Sequence, residues 1–230
     1  MANYQLVLID LDDTLTDSTP AERACFRMAC EKAGLPYSDE FYDTFNCISW
    51  DLWYEYEAGL KTQAHVLRER FHVLFAGIGK TPEEGDRFGA DYIEALQTKT
   101  PLLPHAREVL EELSKRAVIG LATNGVSATQ NRRLDVLQIR PFIKYVFISE
   151  DMAMRKPQKA YFDMALAEAG VTDRSRCLMV GDSLAADIKG ANNAGIDCVW
   201  FNPQGLPCTD DTLKINYTIR ALPELLDIVR

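Results

Sequence analysis

The chain predicts an α/β fold, a doubly wound parallel sheet with a helical cap domain inserted after its first strand. Three observations carry this reading. Short apolar runs alternate with helix-patterned segments, and polar residues follow the end of run after run. Between the first run and the second lie about a hundred residues, far too many for a loop, and their interior has helical pattern. Alternating βα units give a parallel sheet with helices on both faces.

Leu6-Val7-Leu8-Ile9 reads as a buried strand and runs into Asp10-Leu11-Asp12-Asp13-Thr14. Asp10 and Asp12, two residues apart, project to one side and Leu11 to the other. Two carboxylates held that close repel unless a cation shares them or one keeps a proton. A divalent ion held by oxygen ligands leaves Asp10 free to act as a nucleophile, and a protonated Asp12 can serve as a general acid. The same residues also suit an ordinary acidic turn after a strand.

The insert follows. Thr19-Pro20-Ala21-Glu22 has the form of a capping box with Pro at the first helical position, Cys25, Met28 and Ala29 recur at helical spacing, and Gly34 is placed to stop the helix. Helical stretches are expected near 41–56 and 62–75, then a turn-rich break over 77–85, then a fourth helix to about residue 96. Residues 17–97 are therefore read as the cap, and 1–16 with 98–230 as the core.

The core resumes after Pro101-Leu102-Leu103-Pro104 with a helix near 106–115. A second strand, Ala117-Val118-Ile119-Gly120-Leu121-Ala122, ends in Thr123-Asn124-Gly125, and a third, Tyr145-Val146-Phe147-Ile148, is followed by Lys156-Pro157. Phe162, Ala165, Leu166 and Ala169 mark one helix face, with Gly170 as its stop. A fourth strand, Cys177-Leu178-Met179-Val180, runs into Gly181-Asp182-Ser183-Leu184-Ala185-Ala186-Asp187. Val199-Trp200-Phe201 and Tyr217-Thr218-Ile219 give a fifth and a short sixth. Open α/β sheets place their sites at the carboxyl ends of the strands, so carboxylates, hydroxyl, ammonium and carboxylates belong at one rim.

These four stations, in this order, resemble the four motifs of the haloacid dehalogenase (HAD) superfamily: DxDxT, a Thr or Ser after the second strand, a Lys, and GDxxxxD. The likeness spans Asp10 to Asp187 and extends to Ile148-Ser149-Glu150, Asp173-Arg174-Ser175-Arg176 and Asn193-Ala194-Gly195. With Leu52-Trp53-Tyr54-Glu55-Tyr56-Glu57-Ala58-Gly59, the chain is similar to the pyrimidine 5′-nucleotidases called house-cleaning nucleotidases. Many relatives carry Gly where this chain has Asp13; the nucleotidase-like subgroup also shows Asp-Asp-Thr there.

The resemblance implies a HAD-like Rossmannoid core and a Mg²⁺-dependent phosphomonoesterase. Asp10 would attack phosphorus. Asp12, protonated in the first step, would donate to the leaving alkoxide and then deprotonate water. Mg²⁺ would be held by Asp10, the backbone carbonyl of Asp12, and Asp182. Thr123 and the backbone N–H groups of Asn124 and Gly125 would cradle the phosphate, with Gly125 permitting close approach, and Lys156 would supply positive charge. Asp187 would orient Lys156 or metal-bound water, and Thr14 would hold the loop.

The expected substrate is a small phosphorylated metabolite, first a nucleoside monophosphate, with a sugar phosphate or phosphoglycolate as the alternative. Trp50, Trp53 and Tyr54 are the candidate specificity residues, since aromatic faces stack on bases. Trp53 and Tyr56, at helical spacing, fit the cap's own packing at least as well. A dehalogenase would need neither Asp12 nor Asp182, a phosphomutase would keep the motifs with a different cap, and a purely binding protein would be expected to show a broken motif.

Composition bounds the rest. A net charge of −9 with no Lys/Arg stripe argues against a nucleic-acid polymer as partner. No apolar stretch approaches the roughly 18 residues that a membrane helix needs, and no signal-peptide pattern opens the chain, so a cytoplasmic setting is expected. The six cysteines show no C-x-x-C and are expected to be reduced thiols. His65 and His72 are expected to be solvated helix residues. Oligomeric state is not encoded in any pattern found.

Overall fold

The structure, a computed structural model, describes residues 4–57 and 59–229, without the side chain of Glu57. Ala58, within the aromatic motif of the insert, lies outside the described residues. Two compact units divide the chain: the described residues up to Ser18 together with those from Pro101 on, and Thr19–Thr100.

The first unit is built on six parallel strands, β1 (Leu6–Ile9), β2 (Val118–Thr123), β3 (Tyr145–Ile148), β4 (Cys177–Gly181), β5 (Asp197–Phe201) and β6 (Tyr217–Ile219), in the order β3-β2-β1-β4-β5-β6. The doubly wound parallel sheet expected from the sequence is what forms. β1 is buried on both faces, Leu6 and Leu8 packing with Phe147, Phe162 and Met179, and Val7 and Ile9 with Leu110, Leu121 and Val180. That two-sided burial is why parallel strands read as unbroken apolar runs.

Register decides what the sheet presents. Ile9 lies opposite both Leu121 and Val180, so the residues that follow β1, β2 and β4 emerge at one level. The strand order runs outward in opposite directions from β1 and β4, which makes their carboxyl ends the switch point of the sheet.

The described residues of the second unit form four helices, the first of which begins one residue earlier, at Ser18: α1 (Ser18–Ala33), α2 (Asp39–Glu57), α3 (Gln63–Gly77) and α4 (Pro82–Lys99). Two boundaries differ from expectation. α1 already includes Ser18, so Thr19 lies inside its first turn and does not precede it. α4 begins at Pro82, within the expected break, on a capping box in which Thr81 accepts from the Glu84 amide and the Glu84 carboxylate accepts from the Thr81 amide.

The core of this unit is aromatic. The Phe26 ring lies 4.9 Å from Phe45, 5.1 Å from Phe88 and 5.5 Å from Tyr42. Cys25 and Ala29 are buried with Phe26, whereas Met28 is exposed, because the inward face of α1 is centred one position away from the spacing read in the sequence. Arg70, also buried, stacks 4.7 Å over Phe71. His72 bonds the Asp86 carboxylate at 2.7 Å and is mostly covered, a correction to the solvated histidine expected there.

The remaining helices belong to the first unit: α5 (Ala106–Ser114), α6 (Ser127–Val136), α7 (Ser149–Met152), α8 (Lys159–Glu168), α9 (Lys189–Ala194) and α10 (Leu225–Ile228). All six cysteines are unbridged. No helix among the described residues is long and apolar enough to cross a membrane.

Candidate active site

At the end of β1 the Asp10 amide donates to the Val180 carbonyl, so the ladder with β4 continues one residue past the strand and holds Asp10 at the rim. Its carboxylate is buried and accepts from Lys156 Nζ at 2.6 Å. Burial raises the Asp10 pKa well above the carboxylate range; the Lys156 charge opposes that, and Asp187, Asp182 and Asp12 add to it.

Lys156 is 3% exposed and spends its three donors on Asp10, on Asp187 at 2.7 Å and on the Ala122 carbonyl at 2.8 Å. Burial alone would lower its pKa, yet the two carboxylates outweigh it and hold the ammonium charged. The Asn124 side chain fixes the backbone here, accepting from the Lys156 amide and donating to the Lys156 carbonyl.

Asp187 sits on a wide helical turn, Leu184–Ile188, and is wholly buried. It accepts from Lys156 and from the Ser183 amide. Gly181 makes this possible, since a Cβ at 181 would lie 2.1 Å from the Asp187 carboxylate oxygen. Thr14 Oγ1 donates to Asp182 and accepts from the Asp182 amide, and the Trp200 indole donates to the Asp182 carbonyl. Burial, with the Asp187 charge, pushes Asp182 up to about 7, against the Thr14 hydrogen bond.

Carboxylate oxygens of Asp10, Asp182 and Asp187 lie within 4.8 Å of one another. Three acids this close, with Lys156 as the cation among them, are under-neutralised. Hard oxygen donors in excess negative charge fit a Mg²⁺-type cation.

Asp12 is held by three donors. Its Oδ1 accepts from Arg133 Nη1 at 2.5 Å and Ser18 Oγ at 2.7 Å, and its Oδ2 accepts from Gln130 Nε2 at 2.7 Å. Burial would raise its pKa, but the Arg133 charge and these donors hold it below the usual range. Asp13 has φ 53°, the left-handed region that Gly adopts freely and Asp tolerates, and its carboxylate accepts from the Ser18 amide.

At the end of β2, Thr123 Oγ1 accepts from the Gly125 amide and from Gln130 Nε2. The space beside Gly125 is taken by Gln130, whose Nε2 would be 2.1 Å from a Cβ at 125. Gly125 thus leaves room for the Gln130 side chain.

The site residues expected from the sequence form three hydrogen-bonded groups at the rim: Asp10, Asn124, Lys156 and Asp187; Asp12, Thr123 and Gly125, linked through Gln130; and Thr14 with Asp182. The specificity candidates lie on α2: Trp50 and Tyr54 are exposed, and the half-buried Trp53 meets Tyr56 edge to face at 5.5 Å. Sequence reasoning missed Gln130, Arg133 and Trp200. The available signal was Gln130 and Arg133 at i, i+3 beside Leu134, polar groups on a helix face that should be apolar.

A family model for haloacid dehalogenase-like hydrolases matches residues 4–195. YfnB of Bacillus subtilis, named only as a HAD-hydrolase, is 33% identical over 229 residues, covering 100% of this chain and 97% of its own. Its crystal structure, described as magnesium-bound, superposes with a TM-score of 0.88 at 32% identity over 99% of both chains. The pyrimidine 5′-nucleotidase PynA of Streptococcus pneumoniae is 30% identical over 97% of this chain and 94% of its own length. The pyrimidine 5′-nucleotidase YjjG of Escherichia coli is 32% identical over 82% of each. With the motif residues converging on one rim of a parallel sheet and a family match over most of its length, this chain belongs to the haloacid dehalogenase-like hydrolases.

Proposed function

We propose that this HAD-family phosphatase hydrolyses pyrimidine nucleoside 5′-monophosphates, with Mg²⁺, through an aspartyl phosphate on Asp10. The observation that carries the chemistry is the buried Asp10 carboxylate set between Lys156 and the Asp182–Asp187 acids. The substrate class rests on the likeness to PynA and YjjG.

Phosphate monoesters hydrolyse so slowly unaided that the site must lower the barrier by about 20 kcal/mol or more. Covalent catalysis divides that demand between two displacements. In the first, an Asp10 oxygen bonds to phosphorus, the ester P–O bond breaks, and Asp12 gives a proton to the leaving alkoxide. In the second, Asp12 takes a proton from water as its oxygen bonds to phosphorus, and the P–O bond to Asp10 breaks. Asp12 must carry a proton for the first step and be ionised for the second; the Arg133, Ser18 and Gln130 donors favour the ionised form.

Asp10, Asp182 and the backbone carbonyl of Asp12 would hold the metal, with Asp187 close by. A bound Mg²⁺ would polarise the phosphate oxygens and offset the charge that builds up in transfer. Thr123 and Lys156 would meet the non-bridging oxygens, and Thr14 and Asp187 would hold Asp182 and Lys156 in place. The inserted unit is assigned the role of a cap that selects the leaving group. The six unbridged cysteines support a cytoplasmic setting.

The test is phosphate release from UMP, dUMP and dTMP beside sugar phosphates and phosphoglycolate, with Mg²⁺ or EDTA. Mg²⁺-dependent turnover of the pyrimidine nucleotides is expected to lead the panel. Turnover confined to the sugar phosphates or phosphoglycolate would discard the nucleotidase assignment and keep the chemistry.

A further inference from the structure

α6 carries a charged side chain that the proposed chemistry does not use. Arg133 is 5% exposed, and a buried guanidinium is retained at a cost unless its donors are engaged. Its two terminal nitrogens are fully committed. Nη1 donates to Asp12 Oδ1 at 2.5 Å and to Gln130 Oε1 at 3.0 Å, while Nη2 donates to Thr16 Oγ1 at 2.8 Å and Ser18 Oγ at 2.9 Å. Its Nε is buried with no acceptor among the described residues, so the group is placed for what its fork reaches.

The bond to Gln130 has a consequence for direction. A side-chain amide can face either way, and Arg133, a donor only, requires the oxygen of Gln130 on its side. The amide nitrogen is thereby turned to the other side, where it donates to Asp12 Oδ2 at 2.7 Å and to Thr123 Oγ1 at 2.9 Å. Thr123 Oγ1 already accepts from the Gly125 amide at 3.0 Å. A hydroxyl that accepts two hydrogen bonds has its own hydrogen left to give. Thr123 is thus fixed as a donor, the polarity a phosphate oxygen needs.

We infer that Arg133 and Gln130 are a positioning pair that sets the direction of hydrogen bonding at two stations at once, aiming the Asp12 carboxyl group and holding the Thr123 hydroxyl as a phosphate donor. The inference rests on the phosphomonoesterase reading above. Neither residue is assigned a contact with the phosphoryl group; Arg133 and Gln130 bond the Asp12 carboxyl group, and Gln130 also the Thr123 hydroxyl. Asp12 transfers protons, Thr123 binds, and the pair determines where each points. Gly125 belongs to the same device, since only a residue without Cβ leaves space for the Gln130 amide.

The test compares two esters that differ in how much they need an acid. Departure of p-nitrophenolate needs little proton donation, whereas a nucleoside 5′-alkoxide needs it fully. kcat/KM, which reports steps through the first displacement, is measured for p-nitrophenyl phosphate and UMP with wild type, Gln130→Met and Arg133→Met. Competitive inhibition by inorganic phosphate is measured alongside. A misaimed Asp12 is expected to cut kcat/KM for UMP at least tenfold more than for the aryl ester. Loss of the Thr123 orientation is expected to weaken phosphate inhibition about tenfold in Gln130→Met, the scale of one charge-assisted hydrogen bond.

Gln130→Met keeps volume and leaves no new buried charge, so it serves where Arg133→Met fails to fold. Equal loss for both esters, with phosphate inhibition unchanged, would reduce the pair to scaffolding and overturn the inference while the phosphatase stands. Wild type inert toward both esters would overturn the phosphatase reading itself, and this inference with it.

Discussion

At the rim of β1, β2 and β4 the first unit buries Asp10, Thr123, Gln130, Arg133, Lys156 and Asp187, and each has partners at hydrogen-bond distance. The inserted unit buries Phe26, Phe45, Phe71, Phe88 and Tyr92. Among its described residues, Arg70 is the buried charge, and it meets ring faces in place of a carboxylate. The difference teaches where the fold carries cost. An apolar core stabilises by area removed from water, whereas a buried polar network contributes little net stability and fails badly when one member is removed. Among the described residues the buried charges of the first unit, Asp10, Arg133, Lys156 and Asp187, all lie at that rim, where the chemistry is assigned.

Substitutions in the two units should therefore fail differently. Asp187→Ala leaves Lys156 with one carboxylate in a dry site; a loss of about 3–5 kcal/mol in urea unfolding is expected. A fall in kcat of roughly 100-fold or more should accompany it. Phe26→Ala removes the hub of the aromatic cluster and is expected to cost about 3–4 kcal/mol, read in the same unfolding experiment. Its effect should leave the ratio of rates on aryl and alkyl phosphates unchanged. A changed ratio would mean that the insert also governs proton transfer, and the contrast between the units would fall.

The smallest effect is a pH dependence of metal-free stability. Asp182 is raised from its ordinary 3.8 to about 7 by burial and by Asp187, so the folded state holds that proton more tightly than the unfolded one. The contribution is present below the ordinary value and is lost as pH climbs through the folded one. Tm in EDTA should fall as pH rises from about 5 to 8, and the gain in Tm from Mg²⁺ should grow over the same range. A flat profile in EDTA would show that the acids are neutralised by something other than protons and the cation.

Much of this was legible in the residues themselves. β1 and β4 read as unbroken apolar runs because both sheet faces are covered, and each ends in acids whose spacing survives any error in strand boundary. The helices of the insert were legible from their period, but which face turns inward was not. Phe26, and not Met28, fills the core because three other helices converge on that side, information no local pattern holds. The start of α4 was hidden because Gly77, Gly79 and Gly85 surround the Thr81–Glu84 box with turn signals. Arg133 was legible only as a polar intrusion beside Leu134. What it bonds was not, because its partners Asp12, Thr16 and Ser18 lie more than a hundred residues earlier.

The most direct test of the account is to trap the intermediate. Enzyme mixed with UMP and Mg²⁺ is quenched in acid within the first turnovers, reduced with borohydride and mapped by peptide mass spectrometry. The account predicts homoserine at position 10, from reduction of an acyl phosphate, and none in Asp10→Asn, which should also be inactive. Steady release of phosphate with residue 10 unmodified and Asp10→Asn still active would contradict it, because water would then be attacking phosphorus directly.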